Sequence, residues 1–332
     1  MLTQVRRASD ETTVADAVTI LRRGGLVAFP TETVYGLGAD ALNPEAVERV
    51  FEAKGRPADN PLIVHVASAK QARRFAADLP ESARTLMEKF WPGPLTVVVE
   101  RNDLVPDLVT AGLDTVAIRV PRHPVTLALL EAFDGGIVGP SANTSGRPSP
   151  TRAEHVVHDL AGRIDFVIDG GPTVIGLEST VVDCTVAPPA ILRKGALTRE
   201  ALEQAIGPLQ RPDSNGMSRS PGTRHRHYAP RARVVLTPPE DPERFAAVLK
   251  ECADRRQTIG LLVHSPALKS LRGSVRTTAV TGSEDLARQL FQALREFDAA
   301  GVDTIIVEAV EETGIGATIM DRLRRAAEER TE

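Results

Sequence analysis

Residues 12–38 read TTVADAVTILRRGGLVAFPTETVYGLG, and the changes of pattern in that run decide the fold class. Thr12 opens a segment with apolar residues at helical spacing, stopped by Gly24-Gly25, which predicts a helix from Thr12 to Arg23. Leu26 to Phe29 is a short apolar run ended by Pro30, the mark of a buried strand. The strand opens directly into Pro30–Gly38, a loop holding hydroxyls, a carboxylate and one of two tyrosines. Open α/β sheets bind ligands at such loops, outside the carboxyl ends of their strands. Taken alone, the loop also reads as a polar turn with glycine-permitted backbone angles.

The alternation continues downstream. Helical patterns cover Pro44–Ala53, Ala69–Ala77, Glu81–Phe90 and Pro124–Phe133. Strand patterns cover Leu62–Val66, Leu95–Val99, Thr115–Val120, Gly136–Gly139, Phe166–Ile168, Ser179–Asp183 and Ala190–Arg193. Near residue 205 the composition shifts, and Gly207–Pro230 is rich in Pro, Gly, Ser, Arg and His, longer than an ordinary loop. Beyond it, strands at Arg233–Leu236, Ile259–Val263, Val275–Thr278 and Thr304–Val307 alternate with helices at Pro242–Cys252, Ser283–Ala299 and Ile315–Glu329. That is the βαβ pattern of a small Rossmann-like, doubly wound domain. An α/β chain of 332 residues thus divides into 1–206, a connector at 207–231, and 232–332.

A net charge of −4 and a pI near 6.0 argue against a dedicated nucleic-acid coat protein. Aromatic content of 4% leaves few rings for base stacking. Cys184 and Cys252 form no CxxC pair, which excludes a disulfide framework and a zinc ribbon and fits a reducing compartment. The start, MLTQVRRASDETT, lacks the apolar core of a signal peptide, and no apolar run approaches the ~18 residues of a membrane span. The expectation is a cytoplasmic monomer with no membrane association.

Familiar nucleotide and hydrolase motifs are missing: no GxxxxGK[ST], no GxGxxG after the first strand, no HExxH and no GxSxG. Gly314-Ile315-Gly316 reads as a turn or as the anion-binding start of a helix. Lys54-Gly55-Arg56-Pro57 ends a helix, where two cations either complement the dipole or grip phosphate oxygens; lysine is rare here, which favours the second. His65 in an apolar strand is either a core histidine or a ligand group. Gly139–Pro150 follows a short apolar strand, dense in hydroxyl and amide groups, with glycines that admit a ligand close to the backbone. A serine nucleophile at Ser141 has no sequence-marked His and acid partners. Arg119 within its strand demands an anionic partner, from the protein or from a ligand, and Arg193-Lys194 ends another strand. Ser220–Pro230 gathers Arg, His and the second tyrosine, more than a spacer requires.

Taken together, PTETVYGLG at 30–38, Lys54-x-Arg56 with Ser141-x-Asn143, FWPGPLT at 90–96, VAIRVP at 116–121, GLESTVVD at 176–183, ILRKG at 191–195 and SPGTRHRHYAP at 220–230 resemble the YrdC-like threonylcarbamoyl-AMP synthases in their long, two-domain form. The C-terminal stretches at 287–308 and 314–323 look like that family's accessory domain, so the resemblance covers nearly the whole chain. It implies a YrdC-like twisted mixed-sheet catalytic domain over 1–206 and the Rossmann-like domain over 232–332. It also implies a reaction: L-threonine, bicarbonate and ATP give L-threonylcarbamoyladenylate and pyrophosphate. Other proteins then transfer the threonylcarbamoyl group to the adenosine beside the anticodon of tRNAs that read codons beginning with A.

By the same resemblance Lys54, Arg56, Ser141 and Asn143 are the catalytic signature. Thr33, His65, Arg119, Gly139 and Ser179 are expected to hold threonine, with Arg119 facing its carboxylate. Arg56, Asn60, Thr115, Ser141, Ser149 and Arg193 are expected on ATP, with Tyr228 folding over the nucleotide from a connector that shields the reactive adenylate as a lid. Mg²⁺ is expected on the triphosphate, held mostly by phosphate oxygens and water, with no protein ligand marked. Downstream tRNA threonylcarbamoyl-transfer proteins and weak direct tRNA binding complete the expected partners.

Three rival readings remain: an RNA-binding module without chemistry, a hydrogenase-maturation carbamoyltransferase that shares a YrdC-like domain, and an ATP or amino-acid sensor on the same fold. The charge and the scarcity of aromatics weaken the first. Two isolated cysteines cannot build the zinc modules of the second, and the full Lys-x-Arg and Ser-x-Asn set weakens the third.

Overall fold

In the computed structural model, which describes residues 2–211, 228–238, 241–265 and 275–327, the described residues fall into two compact units. Met1–Ser145 with Ser149–His225 form one; Gly146–Pro148 with Arg226–Glu332 form the other. The division falls inside the connector read at 207–231, and three residues of the Gly139–Pro150 loop group with the second unit. Most of the connector read at 207–231, and with it the lid expectation, lies at 212–227, outside the described residues.

In the first unit the strands are β1 (Gln4–Arg7), β2 (Val27–Phe29), β3 (Gly36–Asp40), β4 (Ile63–His65), β5 (Leu95–Glu100), β6 (Thr115–Arg119), β7 (Ile137–Val138), β8 (Phe166–Asp169), β9 (Thr180–Asp183) and β10 (Ala190–Arg193). Among the described residues they make one mixed sheet, in the order β1-β8-β2-β3-β7-β4-β6-β5-β9-β10. Helices α1 (Thr13–Arg22), α2 (Pro44–Lys54), α3 (Ala69–Ala72), α4 (Glu81–Phe90), α5 (Asp107–Thr110), α6 (Pro124–Phe133), α7 (Ala153–Leu160) and α8 (Arg199–Ile206) complete it.

Side chains alternate across a strand, so the central strands serve two faces. Val64, Val97, Val99, Ile118 and Val182 enter the main core with residues such as Val47, Val50 and Leu86. Their strand neighbours Ile63, Val98, Ala117 and Val181 join Ala190 and Leu192 in a separate, smaller apolar cluster. His65, Thr96, Thr115 and Arg119 fall on that second face by the same alternation. The sheet thus supplies an apolar floor with polar groups at its ends.

Helix α2 delivers Lys54 to that region with a defined stop. Asn43 accepts a hydrogen bond from the Ala46 amide at 3.2 Å, Pro44 takes the first turn, and Gly55 ends the helix in the left-handed region at φ 59°.

The second unit is a parallel sheet of β11 (Arg233–Thr237), β12 (Ile259–Val263), β13 (Val275–Ala279) and β14 (Thr304–Glu308), ordered β11-β14-β12-β13. Helices α9 (Pro242–Asp254), α10 (Ser283–Ala299) and α11 (Ile315–Ala327) alternate with the strands. Phe245, Val248, Leu261, Val263 and Ile306 pack at its centre, which is the doubly wound pattern read from the sequence.

Several elements depart from the sequence reading. Gly36–Gly38 is strand rather than loop: a Cβ on Gly36 would stand 2.8 Å from the Phe29 ring, so glycine admits the ring of the neighbouring strand. The helix read over Ala69–Ala77 ends at Ala72; β1 and α5, four residues each, are too short to show a period, and the eight-residue helices α7 and α8 also lie outside the sequence reading.

Candidate active site

The loop after β2 is fixed from within. Thr31 Oγ1 accepts from the Thr33 and Val34 amides at 3.1 and 3.2 Å and donates to the Val34 carbonyl at 2.6 Å. This turns Glu32 and Thr33 toward Arg119, the last residue of β6. Arg119 Nη1 donates to Thr33 Oγ1 at 3.0 Å and Nε to the Gly93 carbonyl at 3.2 Å, while Nη2 stands 2.8 Å from Glu32 Oε1. That last pair is an ion pair by distance but is not aligned as a hydrogen bond, so Glu32 Oε1 and Arg119 Nη2 are both buried without an aligned partner.

His65 is the register partner of Arg119 across β4 and β6. Burial, with Arg119 adding repulsion, holds its imidazole down to about 3, so the ring is neutral near pH 7. Phe29 meets it edge-on at 5.5 Å between centroids, and Nδ1 has no hydrogen-bond partner. Gly139 makes room for it: a Cβ there would stand 2.6 Å from Nδ1.

Lys54 is buried, and its ammonium donates to the carbonyl of Ser141 and, at 2.6 Å, to that of Asn143. Its backbone carbonyl accepts from the Ser145 amide at 2.9 Å. The Lys-x-Arg and Ser-x-Asn signatures are thus joined directly, with lysine shaping the loop that carries the serine and the asparagine. Arg56 turns the other way, donating to the carbonyls of Asn60 and Pro61 at 3.3 and 3.1 Å. Because β4 and β6 run parallel with Ile63 opposite Ala117, Asn60 and Thr115 belong to their amino ends and His65 and Arg119 to their carboxyl ends. Thr115 and Arg119 are four residues apart along β6, about 13 Å at ~3.3 Å per residue.

On the far side, Thr96 Oγ1 and Ser179 Oγ share a 2.8 Å hydrogen bond. Arg193 Nη2 donates to Ser179 Oγ at 3.1 Å and, with Nε, to the Ser179 carbonyl. Gly195 lets the chain pass close by, since a Cβ there would stand 2.2 Å from the Thr180 nitrogen. Ser149 Oγ donates to the buried Glu178 Oε1 at 2.6 Å.

Two family models match, one described as Telomere recombination over residues 19–195 and one described as Threonylcarbamoyl-AMP synthase, C-terminal domain, over 197–328. A threonylcarbamoyl-AMP synthase of Pyrococcus abyssi is 46% identical over 98% of this chain and 97% of that protein. The chain belongs to the threonylcarbamoyl-AMP synthase family. A member from Bacillus subtilis is 44% identical over 96% of this chain and 94% of its own length. The crystal structure of P. abyssi Sua5 complexed with L-threonine is 44% identical, with a TM-score of 0.92 and coverage of 98% of each chain.

Family membership sets the geometry in context. His65, Arg119, Gly139 and Ser179 are linked through the adjacent strands β7, β4, β6, β5 and β9 and their adjoining loops, and Thr33 through its bond from Arg119; Lys54, Ser141 and Asn143 are linked through one loop. Tyr228 belongs to the second unit, where its ring stacks on Phe291 at 5.3 Å and lies 5.0 Å from the Arg322 guanidinium, with φ at 69°. Glu178 and Thr96 lie within the stretches GLESTVVD and FWPGPLT but had no role assigned from the sequence. A lone carboxylate or hydroxyl does not mark its own partner, and only the fold sets them beside Ser149 and Ser179. Among the described residues no three His, Cys, Asp or Glu side chains gather as a metal site, and none of their helices is long and apolar enough to cross a membrane.

Proposed function

We propose that the chain is an L-threonylcarbamoyladenylate synthase and acts as a nucleotidyltransferase. The threonine amine and bicarbonate condense to a carbamate with loss of water. A carbamate oxygen then bonds to the α-phosphorus of ATP as the bond to pyrophosphate breaks. One observation carries the reading: on one face of the sheet the buried Arg119 at the carboxyl end of β6, with neutral His65 beside it on β4, stands about 13 Å along the strand from Thr115 at the amino end, at ~3.3 Å per residue. Such a separation suits a small polar amino acid at one end and an extended nucleotide at the other.

In this reading Arg119 and Thr33 receive the threonine carboxylate, neutral His65 and Ser179 receive polar hydrogens, and the Gly139 backbone closes the site. Arg56, Asn60, Thr115, Ser141, Ser149 and Arg193 hold ATP, and Lys54 and Asn143 keep the serine loop in place. Mg²⁺ enters with the triphosphate as part of the substrate, carried by phosphate oxygens and water. Positioning and charge stabilisation supply most of the rate. The protein works as a cytoplasmic monomer that passes its product to tRNA-modifying proteins, with weak tRNA binding of its own.

Omitting each substrate in turn tests this. Pyrophosphate release should require threonine, bicarbonate and ATP together, and Arg56→Ala or Arg119→Ala should lower it by at least about 100-fold, as expected when charge stabilisation is removed. Release that persists without threonine, or without bicarbonate, would contradict the assignment.

A further inference from the structure

Glu32 is a buried carboxylate that the reaction as outlined leaves without a task. It is 3% exposed, in the loop that also carries Thr33. Oε2 accepts from the Arg122 backbone amide at 3.0 Å. Oε1 faces Arg119 Nη2 at 2.8 Å without alignment, so a buried acceptor and a buried donor lie side by side, each lacking an aligned partner, in the neighbourhood of the equally unsatisfied Nδ1 of His65. Unsatisfied buried polar atoms are uncommon, and a cluster of them marks a place where a ligand completes the hydrogen bonds.

The charges restrict what that ligand is. A substrate carboxylate set on Arg119 also comes close to Glu32, and two carboxylates in a buried site repel. The repulsion turns to attraction when the same ligand carries a cation on the Glu32 side. An α-amino acid does so, because its ammonium and carboxylate are borne on one carbon.

We infer that Glu32 receives the α-amino group of the substrate while Arg119 receives its α-carboxylate, so that the buried pair selects a zwitterion. The inference rests on the threonine site proposed above and adds a specificity-determining residue to it. It also gives Glu32 a reason to be buried beside an arginine that would otherwise be neutralised before substrate arrives.

The test is calorimetric titration of the full chain with L-threonine and with 3-hydroxybutyrate, which keeps the carboxylate and hydroxyl but lacks the amine. The wild type should prefer threonine by roughly tenfold or more, the scale of a buried charge-assisted hydrogen bond. Glu32→Gln should bind threonine more weakly and 3-hydroxybutyrate more tightly, because the repulsive charge is gone. A purely structural role would weaken both ligands together, and that result, or an unchanged preference, overturns the inference. Should Glu32→Gln fail to fold, Glu32→Asp retains the charge but withdraws it by one methylene and should reduce the preference; an unchanged preference there is equally fatal. Wild-type protein that binds neither ligand would sink the threonine site itself, and this inference with it.

Discussion

Lys54 shows how much one side chain decides. Its buried ammonium donates to two loop carbonyls, so Lys54→Met should remove a charged donor from each, leaving the Ser141 carbonyl with the Asn143 amide at 2.9 Å, and cost about 3 kcal/mol, since hydrogen bonds to charged groups contribute ~1.5–3 kcal/mol each. A thermal melt should show the drop, and threonine-dependent turnover should fall with it. His65 makes a pH prediction. Its folded value of about 3 lies below the ordinary ~6.5, so the unfolded chain binds more protons between those values. Its contribution is therefore complete above about pH 6.5 and is lost as the pH falls toward 3, at up to about 1.4 kcal/mol per pH unit. Urea titrations should show a shallower acid slope for His65→Asn than for wild type; equal slopes would show that His65 does not titrate as buried. Lys54, Arg56, Ser141 and Asn143 were legible as a set because their motifs are specific together. The bond from Ser149 to Glu178 and the pairing of Glu32 with Arg119 were not, because sequence separations of 29 and 87 residues hide contacts that only the folded sheet makes.

At the scale of elements, glycine positions decide how closely strands and rings approach. Gly139 follows β7 and faces the His65 ring and Phe29, with a Cβ 2.6 Å from one and 2.9 Å from the other. Gly139→Ala should displace the imidazole, cost about 1–3 kcal/mol as overpacking does, and raise the KM for threonine more than that for ATP. Equal effects on the two substrates would place the damage elsewhere. The helices Pro124–Phe133 and Ser283–Ala299 were legible to the residue, since Pro124 fixes the start of the first and a continuous apolar face, from Leu286 to Phe297, marks the second. Strand β3 was not: GLGAD has no β-branched residue, and pairing with β2 and β7 imposes its conformation.

For the whole molecule, the composition shift near residue 205 announced two units, but not that Gly146–Pro148 would group with the second. That grouping depends on tertiary bonds. Asp298 accepts from the Arg231 and Ala232 amides at 2.7 and 3.2 Å and pairs with Arg147 at 3.2 Å, while Arg295 donates to the Pro148 carbonyl at 2.5 Å. Asp298→Ala should therefore destabilise the second unit by about 2 kcal/mol, through loss of a mostly buried acceptor, and proteolysis should cut it sooner than wild type. An unchanged cleavage rate would show that this carboxylate anchors nothing. The reaction itself is tested by supplying ¹³C-bicarbonate with threonine and ATP and weighing the nucleotide product. Threonylcarbamoyl-AMP carrying the label is expected, with one pyrophosphate released per adenylate. Unlabelled threonyl-AMP, or ATP turnover indifferent to bicarbonate, would contradict it.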